Sequence, residues 1–215
     1  MSSRLVVNSI RHTGASADAI TMDASGNVTF PANATCSGTP SGFSDFVKLQ
    51  AATSTSAVAD LTFQSLDVTT YRTFKMIFSG YPETDSAELH FRFRDGSTEK
   101  TVAAYNWGNL GVSGAGSVFD NAGEQDKALI GYNAGNNNYE GWRLELTVVP
   151  HVSGDPTYQN NFGMSSIIRY TSSNSFRGEN FWFKYHQSDT VDGFRIYPSS
   201  GNIAAYSYTL YGLKR

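Results

Sequence analysis

The sequence has little cysteine, little charge and no long hydrophobic run. Cys36 is the single cysteine in 215 residues, so no intrachain disulfide can form and packing or partner chains must supply the stability. Charged residues make up only 16% of the chain, and the formal net charge is −3, which leaves no basic surface for nucleic acid. No stretch approaches the ~18 apolar residues of a membrane helix, and Leu5 to Ile10 is too short for a signal peptide. We therefore expect a soluble protein made in the cytoplasm, with no nucleic acid partner and no membrane insertion.

Helical periodicity is also missing. No segment repeats apolar residues with helical spacing over three turns, and Ser44 to Ala52 is the only stretch in which a short helix would fit. The chain is instead rich in residues that favour strands and turns, with 20 Gly, 12 Tyr and 14 Phe. This composition predicts an all-β protein.

Alternating apolar and polar residues mark the strands. Ala87 to Arg94 places Ala, Leu and Phe on one face and Glu, His and Arg on the other, and Trp142 to Val148 repeats this pattern. Without long helical crossovers the sheets should be antiparallel, and about ten strands suit a jelly-roll-like β-sandwich. The other predicted strands are Val58 to Phe63, Tyr71 to Phe78, Val102 to Trp107, Ala128 to Tyr132, Met164 to Tyr170, Asn180 to His186, Gly193 to Tyr197 and Ile203 to Tyr211.

A change in composition divides the chain into residues 1–42 and 43–215. Small residues and proline accumulate from Thr35 to Gly42, which reads as a linker. The first part contains two short strand-like runs, Asp18 to Met22 and Asn27 to Phe30, joined by a turn sequence. A two-stranded hairpin is marginally stable in water, so this segment is not expected to hold its shape alone.

The sequence offers no recognisable catalytic or metal-binding arrangement. The four histidines lie in separate segments, and residues 111–114 lack the final glycine of a nucleophile elbow. Three acidic residues, Asp120, Glu124 and Asp126, do not follow the order of a calcium-binding loop. No two carboxylates are marked as a glycosidase pair. We predict a protein that is not an enzyme, with no cofactor and no metal.

Aromatic residues beside polar loops are the remaining signal of a binding site. Residues 133–138 and Gly108 to Asn121 are predicted as the two longest loops, and loops on a rigid sandwich commonly carry binding residues. Flat aromatic faces next to amides could stack on a sugar ring, although most strand aromatics simply pack in a core. Six aromatics lie near these loops or at strand ends: Trp107, Tyr132, Tyr139, Trp142, Trp182 and Tyr185. The predicted saccharide-binding residues are Trp107, Tyr139 and Trp142, with Asn136, Asn137 and Asn138 as hydrogen-bonding neighbours.

Two stretches carry a resemblance to a known class of proteins. Residues 10–30, with DAITMDASGNVTF, and residues 193–213, with SSGNIAAYSYTLYGL, resemble tail-fibre and related virion structural proteins of bacteriophages, especially those of cyanobacteria and other aquatic bacteria. In such proteins the first type of segment lies in a narrow shaft or collar, and the second forms the closing strand of a β-sandwich head. The resemblance implies a homotrimer in the virion tail whose outer end touches the host cell.

A trimer would explain the weak opening hairpin. Three copies around an axis can bury Ile20, Met22, Val28 and Phe30 against one another, so the hairpin becomes stable in the assembly. We thus expect residues 1–42 to join the subunits and to attach to other tail or baseplate proteins. Residues 43–215 would bind the host surface through a glycan. The alternatives are a purely architectural baseplate or capsid-decorating subunit and, more remotely, a small polysaccharide-degrading enzyme.

Overall fold

The chain divides into two compact units, Met1–Phe43 and Ser44–Arg215. The computed structural model describes residues 9–10, 13–14, 16, 20–25, 27–29, 46–114, 116–137, 139–151, 161–169 and 175–214. The predicted linker Thr35 to Gly42, with Cys36, lies outside these residues. None of the residues that the structure describes forms a helix that could span a membrane.

The first unit contains a small antiparallel sheet of three strands. They are β1 (Ser9–Ile10), β2 (Ile20–Met22) and β3 (Val28–Thr29), with β2 in the middle. The Asp23 carboxylate accepts hydrogen bonds from the backbone N–H groups of Ser25 and Asn27, both at 2.9 Å, and these bonds fix the turn between β2 and β3. The predicted pairing of the two runs is therefore present.

Side chains of this small sheet are only partly covered within the unit. Ile20 and Met22 are half-buried, whereas Ile10 and Val28 are each about half exposed, at 51% and 52%. Phe30, the fourth predicted contact residue, lies outside the described residues. The described part of this unit thus leaves apolar surface open to solvent.

The second unit is built from strands alone in its described parts. All pairings are antiparallel, and they form two sheets with the orders β10-β9-β14-β13-β12-β6-β16-β4 and β11-β7-β15-β5, with β8 paired to β7. The strands are β4 (Phe46–Ser54), β5 (Leu61–Phe63), β6 (Tyr71–Pro82), β7 (Ala87–Asp95), β8 (Thr98–Glu99), β9 (Tyr105–Ser113), β10 (Gly116–Gln125), β11 (Ala128–Ala134), β12 (Gly141–Val148), β13 (Asn161–Arg169), β14 (Ser175–Tyr185), β15 (Gly193–Pro198) and β16 (Ile203–Lys214).

The two sheets pack face to face around an aromatic core. Ala87, Leu89, Phe91 and Phe93 of β7 all lie inside, as the alternation predicts. The ring of Phe91 joins the layers, because its centroid lies 4.5 Å from that of Phe183 on β14 in the other sheet. The all-β, antiparallel sandwich is confirmed; the jelly-roll connection pattern stays a prediction.

A buried tyrosine reinforces this core at the start of β9. The Tyr105 hydroxyl accepts a hydrogen bond from the Phe93 N–H at 2.8 Å and donates one to the Lys100 carbonyl at 3.0 Å. Burial raises the pKa of Tyr105, so the phenol stays neutral. The hydroxyl therefore satisfies backbone groups of the neighbouring sheet and tethers the entry to β9.

One sequence-based prediction is wrong. Gly108 to Asn121 is not a loop: it belongs to the hairpin of β9 and β10, in which Leu110 faces Phe119 in the ladder. From Gly108 onward the large apolar side chains of this hairpin, Leu110, Val112 and Phe119, are more than half exposed, so glycines and polar residues take most of the inner positions and the alternation of a half-buried strand is not visible there. The stretch in which a short helix would fit is a strand in its described part, because β4 begins at Phe46 and runs through Ala52.

Candidate functional site

One end of the eight-stranded sheet exposes apolar side chains on its outer surface. Strands β10, β9 and β14 lie next to one another there. Their exposed members are Leu110, Val112, Phe119, Phe176 and Trp182. Because residues directly opposite in an antiparallel ladder point to the same side, Phe119, Leu110 and Asn180 form one row and Trp182 lies opposite Gly108. We call this surface the β9–β14 face, and contiguous apolar surface of this kind marks binding sites.

Trp182 forms the centre of a small depression on this face. The depression has a volume of about 190 Å³ and is lined by Asn106, Trp107, Trp182, Phe183 and Lys184. The indole rests on the strand at Gly108: a β-carbon at that position would lie 2.8 Å from two ring carbons of Trp182. Glycine at position 108 therefore lets the ring settle against the backbone, while Trp182 keeps 44% of its surface exposed.

Polar groups border the indole on one side. Asn106 lies opposite Lys184 in the ladder, and its Oδ1 accepts a hydrogen bond from the Glu124 N–H at 2.9 Å. The Glu124 carboxylate lies 3.5 Å from Nε2 of His186. Among the described residues Lys184 makes no ion pair, so its ammonium group is available beside the ring.

A second depression follows the first along β14. It has a volume of about 550 Å³ and is lined by Leu110, Gly111, Val112, Ser117, Gly178, Glu179 and Asn180. Gly178 has no side chain to fill this depression, and a β-carbon there would contact only the Phe176 ring, at 3.5 Å. Asn180 and Trp182 occupy alternate positions of one strand, so both depressions lie on the same side of β14.

The inner side of the same strands carries a closed polar cluster beside the aromatic core. Arg177 Nε donates to the Glu179 carboxylate at 2.7 Å, and the guanidinium carbon lies 3.8 Å from the centre of the Tyr132 ring on β11. The Glu179 side chain is completely buried. Asn109 is also fully buried, and neither of its amide atoms has a hydrogen-bond partner among the described residues. This cluster joins the layers and is out of reach of a large ligand.

Trp142 and Trp107 do not present free rings. Trp142 has no exposed surface, and its Nε1 donates to the Tyr132 carbonyl at 2.9 Å inside the core. It is therefore removed from the candidate stacking residues, because its position on the inner side of β12 places it between the sheets. Trp107 is half-buried and packs against the core, yet it lines the depression beside Trp182.

The predicted asparagine loop lies elsewhere on the molecule. Tyr139 is 84% exposed there, Asn136 Nδ2 donates to the Glu83 carbonyl at 3.2 Å, and the Asn137 N–H donates to Glu140 Oε2 at 3.1 Å. Asn138 lies outside the described residues. Gly141 follows this loop at the start of β12. It pairs with Ile168 on β13, and Ile168 pairs with Phe176 on β14. Phe176 precedes Trp182 by six positions on the strand, about 20 Å. The loop and Trp182 therefore do not form one site.

Trp182 is one of the six aromatics near loops or strand ends in the sequence, but it is not among the predicted saccharide-binding residues. The signal was present in β14, where Phe181, Phe183 and Tyr185 alternate with Asn180, Trp182 and Lys184. A tryptophan on the polar side of an alternating strand has its ring outside the core.

The charged outer surface of the second sheet is internally neutralised. Glu99 pairs with Arg92 at 3.2 Å, with Arg94 at 3.3 Å and with Arg195 at 2.5 Å. Asp60 and Asp126 supply further carboxylates to Arg195 and Arg92. Opposite charges balance in this network, so it stabilises the sheet and leaves no free anion-binding arginine there.

Three acidic residues that were tested for calcium binding have separate partners. Asp126 contacts Arg92 and Lys127, Glu124 contacts His186, and Asp120 accepts a hydrogen bond from the Asn121 N–H. Within the part of the chain that the structure describes, no three His, Cys, Asp or Glu residues are grouped so that they could hold a metal ion.

The chain has no match among protein-family models, curated proteins or solved structures. The functional argument therefore depends on the geometry of the β9–β14 face and on the sequence pattern.

Proposed function

We propose that this chain is a bacteriophage virion protein, of the tail-fibre type, whose sandwich binds a saccharide of the host cell surface through the β9–β14 face. The single observation that carries the binding role is Trp182, held against Gly108 with its ring open to solvent and polar groups beside it. The resemblance of residues 10–30 and 193–213 to tail-fibre proteins supports the virion assignment.

The chemistry of this surface suits a sugar. One side of a pyranose ring presents C–H groups that pack on an indole, and its hydroxyl groups need hydrogen-bonding partners at the edge. Trp182 supplies the flat apolar surface, whereas Asn106 and Lys184 supply polar atoms in the same depression. The second depression, with Asn180 and Ser117, provides room for further sugar units along β14.

Multivalency would make such a shallow site sufficient. The protein would act as a homotrimer. Ile10 and Val28 of the small first sheet support this, because both are partly exposed and could be covered by other subunits. Burial of such side chains between subunits would stabilise the hairpin only in the assembly. Three weak sites on one particle gain apparent affinity through effective concentration. Attachment to other tail or baseplate proteins would then occur through residues 1–42.

An architectural subunit of the virion is the second candidate. The observation in its favour is the apolar row of Leu110 and Phe119, with Val112 and Phe176 on the same surface. A surface of this type also suits contact with another protein, because the core of an interface has few charges. In that case the β9–β14 face would bind another virion component and no host molecule.

A glycan array probed with the purified full chain separates the two candidates. The variants are Trp182→Ala and the control Phe46→Ala, which removes a ring of similar exposure, 47%, from β4 at the opposite edge of the sheet. We expect reproducible binding that falls about tenfold or more in Trp182→Ala, since central aromatic contacts dominate binding energy, and is unchanged in Phe46→Ala. A silent array together with tight binding to a tail component would favour the architectural role.

A further inference from the structure

Among the residues that the structure describes, Lys184 is the one charged side chain that lines the Trp182 depression. It lies two residues beyond Trp182 on β14, and alternate residues of a strand point to the same side, so the ammonium group and the indole share the outer surface. Seven lysines and arginines of the described sandwich have carboxylate partners, such as Lys75 with Glu145 at 2.8 Å. Lys184 has none among the described residues.

The surroundings of Lys184 limit where a negative group could come from. Its cross-strand neighbour Asn106 is neutral, and Trp182 precedes it on the same side of β14. Glu124, whose N–H is bonded to Asn106, has its carboxylate 3.5 Å from Nε2 of His186, two residues after Lys184, and makes no ion pair with Lys184. The indole side of Lys184 therefore carries no acidic group from the described residues.

From this arrangement we propose that the ligand of the Trp182 depression is an anionic saccharide, with one ring on the indole and its carboxylate or sulfate on Lys184. This inference rests on the saccharide-binding role proposed above and adds the charge of the ligand. A charge-assisted hydrogen bond from the ammonium group gives an anionic sugar an advantage over a neutral sugar of the same shape. The stacking contact contributes equally to both.

A matched pair of probes tests the charge. The full chain is titrated with tetragalacturonate, with its methyl ester, which keeps the rings and removes the charge, and with a sulfated galactan tetrasaccharide. We expect the methyl ester to bind about tenfold more weakly than the acid. Preference for the acid identifies a carboxylate ligand, whereas preference for the sulfated probe identifies a sulfate ligand; either result supports an anionic saccharide.

Two substitutions separate this inference from the proposed function. Lys184→Gln should remove the difference between the acid and its ester, and should also remove the salt dependence of binding that an ion pair confers. Trp182→Ala should weaken the acid and the ester alike. Lys48→Gln on β4 removes another lysine at the opposite edge of the sheet and should change neither.

The results that would overturn the anionic ligand differ from those that would overturn the saccharide site. If tetragalacturonate, its ester and the sulfated tetrasaccharide all bind equally well to the unmodified chain and all lose affinity in Trp182→Ala, the saccharide site stands and the anionic inference is overturned. Binding that is insensitive to Trp182→Ala overturns the site itself. A chain that binds neither anionic probe also overturns the inference.

Discussion

Gly108 matters because of the ring that lies on it. A β-carbon at this position would come within 2.8 Å of two Trp182 ring carbons, and the ring is the end of a side chain, so it would move rather than the backbone. We expect Gly108→Ala to weaken saccharide binding about fivefold with little change in melting temperature, since the displaced indole no longer rests on the strand. Isothermal titration calorimetry measures the affinity. Gly114→Ala, which adds a methyl group in open space, serves as the control; equal affinity of both variants would contradict the role of Gly108.

Phe91 is the residue at which the two sheets meet. It has no exposed surface, and its ring contacts those of Phe93, Phe183 and Phe194. Phe91→Ala should lower the free energy of unfolding by about 3–5 kcal/mol, because it removes buried surface and leaves a cavity. Denaturant unfolding measures this loss.

The matched control for this change is Phe119→Ala, which removes a ring from the β9–β14 face. Phe119 is 64% exposed, so Phe119→Ala should alter the free energy of unfolding by no more than about 0.5 kcal/mol. Similar losses in Phe91→Ala and Phe119→Ala would contradict the assignment of core and surface.

Asp67 makes the turn before β6 sensitive to acid. The Thr69 hydroxyl and the N–H groups of Thr69 and Thr70 donate hydrogen bonds to its carboxylate, and these bonds, led by that of the Thr69 hydroxyl, lower the pKa of Asp67 to about 2. Because the pKa is depressed in the folded state, the stabilisation is complete above about pH 4 and is lost as the pH falls towards 2.

NMR titration of the Asp67 carboxyl carbon checks this pKa directly. The expected midpoint is about 2. The melting temperature of the unmodified chain should fall between pH 4 and pH 2, partly because Asp67 becomes protonated. Asp67→Asn should remove that part of the fall. A midpoint at the ordinary value of an aspartate would contradict the hydrogen-bonded turn.

At the scale of elements, the predictable strands are those with one face in the core. Strands β7 and β12 alternate cleanly because one side packs against the other sheet and the opposite side meets solvent. In β4 the register shifts where Leu210 and Tyr211 pair with Gln50 and Lys48, leaving Leu49 as an extra residue. This bulge spaces the partly covered Leu49 and Ala52 three residues apart, a spacing that also fits a helix.

The β9–β10 hairpin was unpredictable for a different reason. Beyond Trp107 its larger apolar side chains face solvent, whereas the inward positions include Asn109 and Gly111, so the hydrophobic pattern is inverted in that part of the hairpin. The two tryptophans differ in this respect, because Trp182 lies on the polar side of β14, whereas Trp142 shares the apolar side of β12 with Leu144. The exposed ring of Trp182 could therefore be predicted from the alternation, but the hairpin that completes the β9–β14 face could not.

Hydrogen exchange tests the hairpin as an element. Strand β9 lies between β10 and β14, and Leu110, for example, has ladder partners in both. We expect the amides of β9 to exchange at rates typical of the sandwich interior, far more slowly than those of residues 135–137. Amide-resolved exchange followed by NMR gives both rates in one experiment. Fast exchange throughout residues 108–113 would contradict the hairpin.

At the scale of the whole molecule, the two units differ in how much apolar surface each of them buries. Ser44–Arg215 contains the aromatic core and should fold by itself, whereas the described strands of Met1–Phe43 cover little apolar surface. The sequence predicted this contrast because residues 1–42 are poor in large apolar side chains. Their proposed role in joining three subunits follows from the same shortage of large apolar side chains.

Native mass spectrometry of the full chain and of residues 44–215 tests the central claim, that the first unit assembles binding sandwiches into a trimer. We predict a species of three times the 23.4 kDa chain mass for the full chain, and a folded monomer for residues 44–215. A full chain that remains monomeric at working concentrations, or a truncated chain that still forms trimers, would contradict the account.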